Sequence, residues 1–364
     1  MKQMPANVFV SGDGPAACAT VLALRRLGID VTISPRDSTA ASSPPVVLGE
    51  STVALMADLC GDSSIFEHAH QLRRRIVCWG ADPPQAVAHA AISIRGTILR
   101  RALFDTVAAK LDGADSDFLS WHVYSSPADL PRESICLRIG KRVTLSCAVG
   151  LTSRADSGAC WIESTPDGWV FLAPLSDQCA ALQVTIPIPP RSAPEALAEM
   201  VARTRYISQL VASVASDVDV YATSPSINSP CGSRGWLSVG AAAMTLDPLC
   251  GDGTGHSFRS GLLAAGVIRA VADGQPREAI LNHFNERLRV TFAAHLMACK
   301  RFYAPANFGK AWAEEIEAIQ TGANCMSSLP EASLPFHFQN LHLIPVTDAH
   351  DQGGGPPSES SRSW

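Results

Sequence analysis

The feature that most constrains this chain lies at its start. Asn7-Val8-Phe9-Val10 is a short apolar run with β-branched residues, the mark of a buried strand. Gly12-x-Gly14-x-x-Ala17 follows at once. Cys18 to Leu27 then carries Ala19, Leu22, Leu24 and Leu27 on one helical face, and Gly28 stops the helix. Asp30-Val31-Thr32-Ile33 reads as a second strand. Strand, glycine turn, helix and strand within about 30 residues form a βαβ unit of the dinucleotide-binding type. Gly12 lets the strand turn sharply, Gly14 lets backbone approach a pyrophosphate, and Ala17 lets the helix pack on the strand. The helix N-terminus, from Pro15 and Ala16 onward, offers free N–H groups and a positive dipole end to phosphate. The alternative is a glycine turn in an ordinary α/β fold.

The rest of the chain extends this opening. A Ser/Pro-rich loop covers Ser38 to Pro45, and Ser51 to Leu59 reads as a helix. The segment Ile92 to Lys110 contains a long helix bearing Leu99, Leu103, Phe104 and Val107. Short strands then follow one another: Leu119–Tyr124, Ile135–Leu137, Val143–Val149, Cys160–Glu163, Trp169–Ala173 and Ala180–Ile186. Such a run predicts a largely antiparallel sheet. Ala193 to Val214 reads as a helix. Leu237–Gly240 reads as a buried strand, and a glycine-rich turn leads from it into a helix from Ser257 to Ala272. Two further helices are expected at Arg277–Thr291 and Phe292–Tyr303, and the last fourteen residues read as a disordered tail.

The second glycine cluster chooses between nucleotides. Gly240-Ala241-Ala242-Ala243 and Asp247-Pro248-Leu249-Cys250-Gly251-Asp252-Gly253-Thr254-Gly255 follow the strand at Leu237 and precede a helix. A second helix N-terminus facing the same cleft suits the negative edge of a reduced isoalloxazine, which a plain NAD enzyme does not need.

Five motifs occur in order: the Gly-x-Gly-Pro-Ala start, Gly49-Glu50-Ser51-Thr52, Arg101-x-x-Phe104-Asp105, Asp167-Gly168-Trp169-x-Phe171-x-Ala173-Pro174-Leu175 and Asp247-Pro248-x-x-Gly251-x-Gly253. Over roughly residues 7 to 315 the chain resembles the FAD-dependent monooxygenases and tryptophan halogenases of the p-hydroxybenzoate hydroxylase fold. The Cys250–His256 stretch and His295-Leu296-x-x-Cys299-x-x-Phe302-Tyr303 resemble, more narrowly, the flavoproteins that mature quinone-cofactor (cysteine tryptophylquinone) amino-acid oxidases and amine dehydrogenases.

The resemblance implies an α/β fold: a Rossmann-like FAD-binding domain interleaved with a mostly antiparallel β substrate domain, plus C-terminal helices. The FAD-binding domain would take residues 1–75, 96–145 and 232–275, and the substrate domain 76–95 and 146–231. The helices would fill 276–330, with a tail over 331–364. It further implies that Gly12, Gly14, Pro15, Ala16 and Ala17 hold the FAD pyrophosphate, that Glu50 and Ser51 sit near the ribityl chain or ring edge, and that Arg101 reaches the phosphates or ribose. Asp247, Pro248, Gly251, Gly253, Thr254 and Gly255 would lie under the isoalloxazine. The implied activity is hydroxylation of an aromatic group, an indole or tryptophan, through a flavin C4a-hydroperoxide. The substrate would be a small aromatic molecule or a tryptophan of a partner precursor protein. NAD(P)H binding transiently, or a partner reductase, would supply electrons.

Three acidic positions of the family pattern are absent. Pro35 stands where an acid would meet the adenosine ribose, Arg138 opens the segment that is usually Asp-Ala-Thr-Gly-Arg, and Ala241 follows Gly240 in place of aspartate. Each missing hydrogen bond costs about 0.5–1.5 kcal/mol of binding, so weakly held FAD is expected. A dehydrogenase or reductase, and a non-catalytic flavin-fold chaperone, therefore remain as alternatives. Halogenation is disfavoured: no lysine lies between Gln71 and Ser93, and Trp169–Pro174 lacks a second tryptophan.

Single residues carry weaker signals. His256, beside the flavin loop, is a candidate acid/base or a packed helix-end residue, and Trp169 a candidate wall of the substrate cavity. His68-x-His70 has metal-like spacing without a third ligand, so no metal is expected. Arg73-Arg74-Arg75 reads as a solvated face or one meeting an acidic partner. Eleven cysteines without a Cys-x-x-Cys, among them Cys18, Cys136, Cys147 and Cys299, read as reduced core thiols. A net charge of −5 gives no basic excess for nucleic acid. No apolar run is long enough to span a bilayer and no signal peptide is seen, so the cytoplasm is expected.

Overall fold

The computed structural model describes residues 7–35, 43–110, 121–306, 308–330 and 332–346. Asp37, most of the Ser/Pro-rich loop, the start of the strand expected at Leu119 and the last fourteen residues, expected as disordered, lie outside the described residues. Among the described residues there are seven α-helices: α1 (Pro15–Arg26), α2 (Glu50–Cys60), α3 (Gly96–Ala108), α4 (Ala193–Ala202), α5 (Gly253–Ala272), α6 (Arg277–Tyr303) and α7 (Ala313–Ser328).

The opening βαβ unit forms as its sequence requires. Strand Val8–Ser11 pairs in parallel with Val31–Ser34 on one side and Trp121–Tyr124 on the other. Trp236–Ser238 adds in parallel beyond Trp121–Tyr124, and Gly232–Ser233 closes that edge, giving a five-stranded sheet. Helix α1 crosses from the first strand to the second. Its residues from Ala16 to Leu24 are all buried, because it lies between this sheet and α5. A helix covered on both sides needs apolar residues all round, and the run Ala-Ala-Cys-Ala-Thr-Val-Leu-Ala-Leu provides them.

A nine-stranded sheet stands beside it. It runs in the order Val211–Val214, Val143–Leu151, Cys179–Ile186, Gly168–Pro174, Ala159–Thr165, His70–Cys78, Gln85–Ile94 and Val46–Gly49, with Asp219–Ala222 also paired to Val143–Leu151. Every pairing is antiparallel except that of His70–Cys78 with Ala159–Thr165. Residues 46–49 and 70–75, expected with the nucleotide-binding part, pair into this sheet instead. One face packs α4 over Leu145, Leu172, Leu182 and Val184. The main core joins the parallel sheet, α1, α3, α5, α6 and α7.

Four expectations are corrected. The helix expected over Ala193–Val214 ends at Ala202, and Val211–Val214 is a strand at the sheet edge, where its valines pair with Val143–Leu151. The two helices expected at Arg277–Thr291 and Phe292–Tyr303 are one, α6, because no glycine or proline interrupts the 27 residues. Cys136 is exposed, on a short strand whose four residues are all exposed; Cys18, Cys147 and Cys299 are buried as read. Within the expected tail, Phe336–Gln339 and His342–Pro345 form a hairpin against α5. Among the described residues no helix is long and apolar enough to cross a membrane.

Candidate active site

Two helix N-termini converge on one cleft between the sheets. Gly14 is the N-cap of α1, and Pro15, the first helical residue, gives up no hydrogen bond there. Gly12 turns the chain with φ +109°, and a Cβ on it would stand 2.0 Å from Ser125 Oγ, so only glycine fits. Opposite, Asp252 is the N-cap of α5 without a side-chain cap, and the first intrahelical bond runs from His256 N–H to the Asp252 carbonyl at 2.9 Å. The N–H groups of Gly253, Thr254 and Gly255 therefore have no intrahelical acceptor. The Asp252 carboxylate accepts from Thr52 Oγ1 at 3.3 Å and pairs with Arg259. Gly240, with φ +57°, lies so close to α1 that an added Cβ would stand 2.8 Å from the Ala16 methyl, which draws the α5 loop onto the first turn of α1.

A cavity of about 600 Å³ opens from this junction. One wall, at the two helix ends, is Pro15, Pro248, Leu249, Cys250, Gly251, Gly253, Thr254 and Ser257. Val77, Ile162, Trp169 and Phe171 of the large sheet form the facing wall. Gln183 and the hydroxyl pair Thr144–Thr223, 2.9 Å apart, supply neutral polar groups there. Trp79 and Phe302 also line it, joined by a 2.7 Å hydrogen bond from the Trp79 indole to the Phe302 carbonyl. Phe302 is 52% exposed, so the cavity reaches the surface. A second space of about 170 Å³, sharing Leu246, Gly253 and Ser257, is lined by Gly240, Ala241, Met244, Thr245, His256 and Ser260.

The loop Asp247–Gly251 is held from behind by charge. Asp247 is 1% exposed. Its carboxylate accepts from Arg142 Nε at 2.7 Å, from Tyr303 O–H at 2.9 and 3.0 Å, and from the Leu249 N–H at 2.9 Å. Arg142 is wholly buried and also pairs with Glu315 of α7. Burial works against the Arg142 charge, but Asp247, Tyr303 and Glu315 outweigh it and hold its pKa above the ordinary arginine value. Tyr303 in turn accepts from the Trp169 indole N–H at 3.3 Å, so the sheet wall and the loop wall of the cavity share one hydrogen-bond chain. The Asp247 N–H donates to His295 Nε2 at 2.8 Å, and burial pushes that imidazole down to about 4.

The predicted residues divide cleanly. Pro15, Trp169, Pro248, Gly251, Gly253 and Thr254 line the main cavity. Gly12, Gly14, Ala16, Ala17, Asp247 and Gly255 build its supporting turns and helix ends, and Gly255 has no room for a side chain beside Asp252 and Thr52. His256 is displaced into the smaller space; burial, then Arg259, lowers its pKa. Glu50 and Ser51 are exposed at the start of α2 and do not line the cavity; Thr52 makes the link to α5 that they do not. Arg101 is corrected outright. Its side chain is 85% exposed and pairs with Asp105, whereas Arg100, one residue earlier, turns inward to bond Asp13 in the glycine turn at 2.5 Å. The 100° step between helix neighbours makes this one-residue shift decisive. His68 pairs with Glu67 on the surface and His70 bonds the Ser157 carbonyl at 2.8 Å, so the two imidazoles are not brought together.

Little in the cavity wall can do covalent chemistry. Burial pushes the Cys250 thiol up to about 12, so it is not a thiolate. The fit to FAD is good where its phosphates and ring would lie. An added Cβ at Gly14 or Gly253 would meet nothing within 4 Å, so both helix ends present bare backbone to open space. At the ribityl position Ala241 offers no acceptor.

No protein-family model matches the chain, and no curated protein matches it in sequence. The comparison with solved structures is clear: the fold is that of the flavin-dependent halogenases and hydroxylases of the p-hydroxybenzoate hydroxylase type. QhpG, a peptidyl tryptophan dihydroxylase essential for tryptophylquinone cofactor biogenesis, is 20% identical with a TM-score of 0.70, over 94% of this chain and 86% of that one. The flavin-dependent halogenase CmlS is 16% identical with a TM-score of 0.76, over 90% of this chain and 71% of that one. The myxobacterial chondrochloren halogenase CndH is 16% identical with a TM-score of 0.75, over 91% and 92%.

Proposed function

We propose that this protein is an FAD-dependent monooxygenase that hydroxylates an indole or similar electron-rich ring. The observation that carries the reading is the apolar cavity running from two facing helix N-termini to Trp169 and Phe171. In this reading Gly12, Gly14, Pro15, Ala16 and Ala17 hold the FAD pyrophosphate, with Arg100 in the role first given to Arg101. The α5 end at Gly253, Thr254 and Gly255 faces the carbonyl edge of the ring, and Asp247 fixes the Pro248–Gly251 wall beside it. Reduced FAD held there would supply the two electrons and, with protons, the chemistry by which one atom of dioxygen enters the substrate ring and the other becomes water. The chain itself orients that ring with Trp169, Phe171 and Ile162 and keeps bulk water from it. No acid/base pair is required of it.

The exposed Phe302 at the mouth supports entry of a tryptophan carried by a protein, the substrate class of QhpG. A reductant, NAD(P)H or a partner reductase, would meet the protein transiently. Ala241 favours a second reading, a flavin-fold chaperone that has lost its cofactor. One experiment separates the readings. The purified protein is titrated with FAD by absorption spectroscopy, and the complex is then reduced and exposed to dioxygen with a tryptophan peptide. A flavin spectrum and a peptide heavier by oxygen sustain the monooxygenase. NAD(P)H oxidation without an oxygenated product points to a dehydrogenase or reductase. No FAD binding at large excess leaves the chaperone.

A further inference from the structure

Arg75 was expected on a solvated face, yet it is the one arginine of its run that lines the cavity. Its neighbours are accounted for: Arg74 pairs with Asp156, and the Arg73 guanidinium lies over Gly158. The cause is a register shift between Leu72 and Arg74 in the pairing with Gln85–Ile94. It breaks the alternation of the strand, leaves Arg73 and Arg74 both exposed, and turns Arg75 inward.

Inside, the guanidinium meets no carboxylate among the described residues. Nη2 donates to His89 Nε2 at 3.0 Å, and Nε is buried without a partner. Nη2 also lies 3.6 Å from where a Cβ on Gly251 would stand, beside the loop wall of the cavity. His89 cannot neutralise it: the imidazole carries no negative charge and accepts the guanidinium's hydrogen at 3.0 Å. Arg75 is thus the sole charged side chain among the described residues lining an otherwise apolar and neutral-polar cavity. Arginine keeps its charge under such burial, and its planar donors match a carboxylate.

We propose that Arg75 binds an anionic group of the substrate, a carboxylate carried on or beside the aromatic ring. The inference rests on the aromatic-substrate reading above and adds to it the charge of the molecule that enters. A free indole acid would supply its own carboxylate. A protein substrate would supply the side chain of an aspartate or glutamate near the target tryptophan.

The test is calorimetric titration of the FAD-saturated full chain with indole-3-propionate and with its neutral amide. Wild type binds the acid about ten- to a hundredfold more tightly than the amide, the range for a hydrogen bond to a charged group. Arg75→Met binds both at the amide's affinity, and Arg74→Met, altered only at the surface, keeps the preference. The wild-type comparison stands even if Arg75→Met does not fold. Equal binding of acid and amide by wild type overturns the inference and leaves the aromatic reading standing, as does a preference that survives Arg75→Met. Binding of neither compound overturns both.

Discussion

Replacing Arg142 with methionine tests the buried charge cluster behind the Asp247–Gly251 loop. The arginine is wholly buried, bonds Asp247 Oδ2 through Nε at 2.7 Å, and pairs with Glu315 through Nη1. Methionine fills most of the volume and removes the only cation of the cluster. Asp247 keeps Tyr303 and the Leu249 N–H, and Glu315 keeps the Lys141 N–H, but two buried carboxylates are left without a countercharge. Breaking a buried pair from one side costs roughly 3–5 kcal/mol. Arg142 Nη2 is already without a partner, so losing that donor costs nothing further. The triple variant Arg142→Met/Asp247→Asn/Glu315→Gln removes the stranded charges as well and is expected to regain part of the loss, roughly 1–3 kcal/mol. Urea unfolding followed by circular dichroism gives both differences. A single variant within about 1 kcal/mol of wild type, or a triple variant no more stable than the single one, would refute the claim that charge pairing holds this loop.

Three further outcomes follow from the same geometry. Gly14→Asp places a good N-cap where a Cβ meets nothing, so stability holds or rises by up to about 1 kcal/mol while FAD affinity falls at least about a hundredfold; Gly12→Ala, with φ +109°, instead loses about 1–3 kcal/mol in thermal unfolding. Arg100→Gln weakens FAD about tenfold by fluorescence titration and Arg101→Gln leaves it unchanged; the reverse order would restore the original assignment. His283 and His295 are held down to about 4 from an ordinary 6.5, mainly by burial, with Arg287 and His337 facing the first and Asp247, His256 and Arg142 facing the second. The unfolded chain then binds more protons than the folded one between those values. Each residue's contribution is intact above pH 6.5 and is lost as pH falls toward 4, on the order of 3 kcal/mol apiece. A melting temperature flat across that window, or a slope unmoved by His283→Gln, would count against it.

What could be read from the residues alone was whatever is local. The glycine turn at Gly12–Ala17, the α5 loop and the strand bearing Trp169 each announce themselves within a dozen residues, and all three meet at the cavity. What was misread depends on partners distant in sequence. Val211–Val214 continues an apolar pattern from α4 and becomes a strand only because Val143–Leu151 lies open beside it. Arg75 is turned inward by a register shift that no single strand encodes. Arg142 closes the segment that Arg138 opens, and its part appears only when Asp247 and Glu315 close on it.

That last cluster bears on the order in which the protein matures on the ribosome. The glycine turn of α1 is synthesised first and the α5 loop much later; Arg142, the loop's countercharge, precedes the loop, but Tyr303, which donates to Asp247, and Glu315, which pairs with Arg142, come later still. A nascent chain that has not yet extruded α7 therefore carries a Pro248–Gly251 wall without its full support, however well formed its first strands are. A fragment ending before Glu315 should retain the opening βαβ unit and hold the Pro248–Gly251 wall of the cavity less firmly.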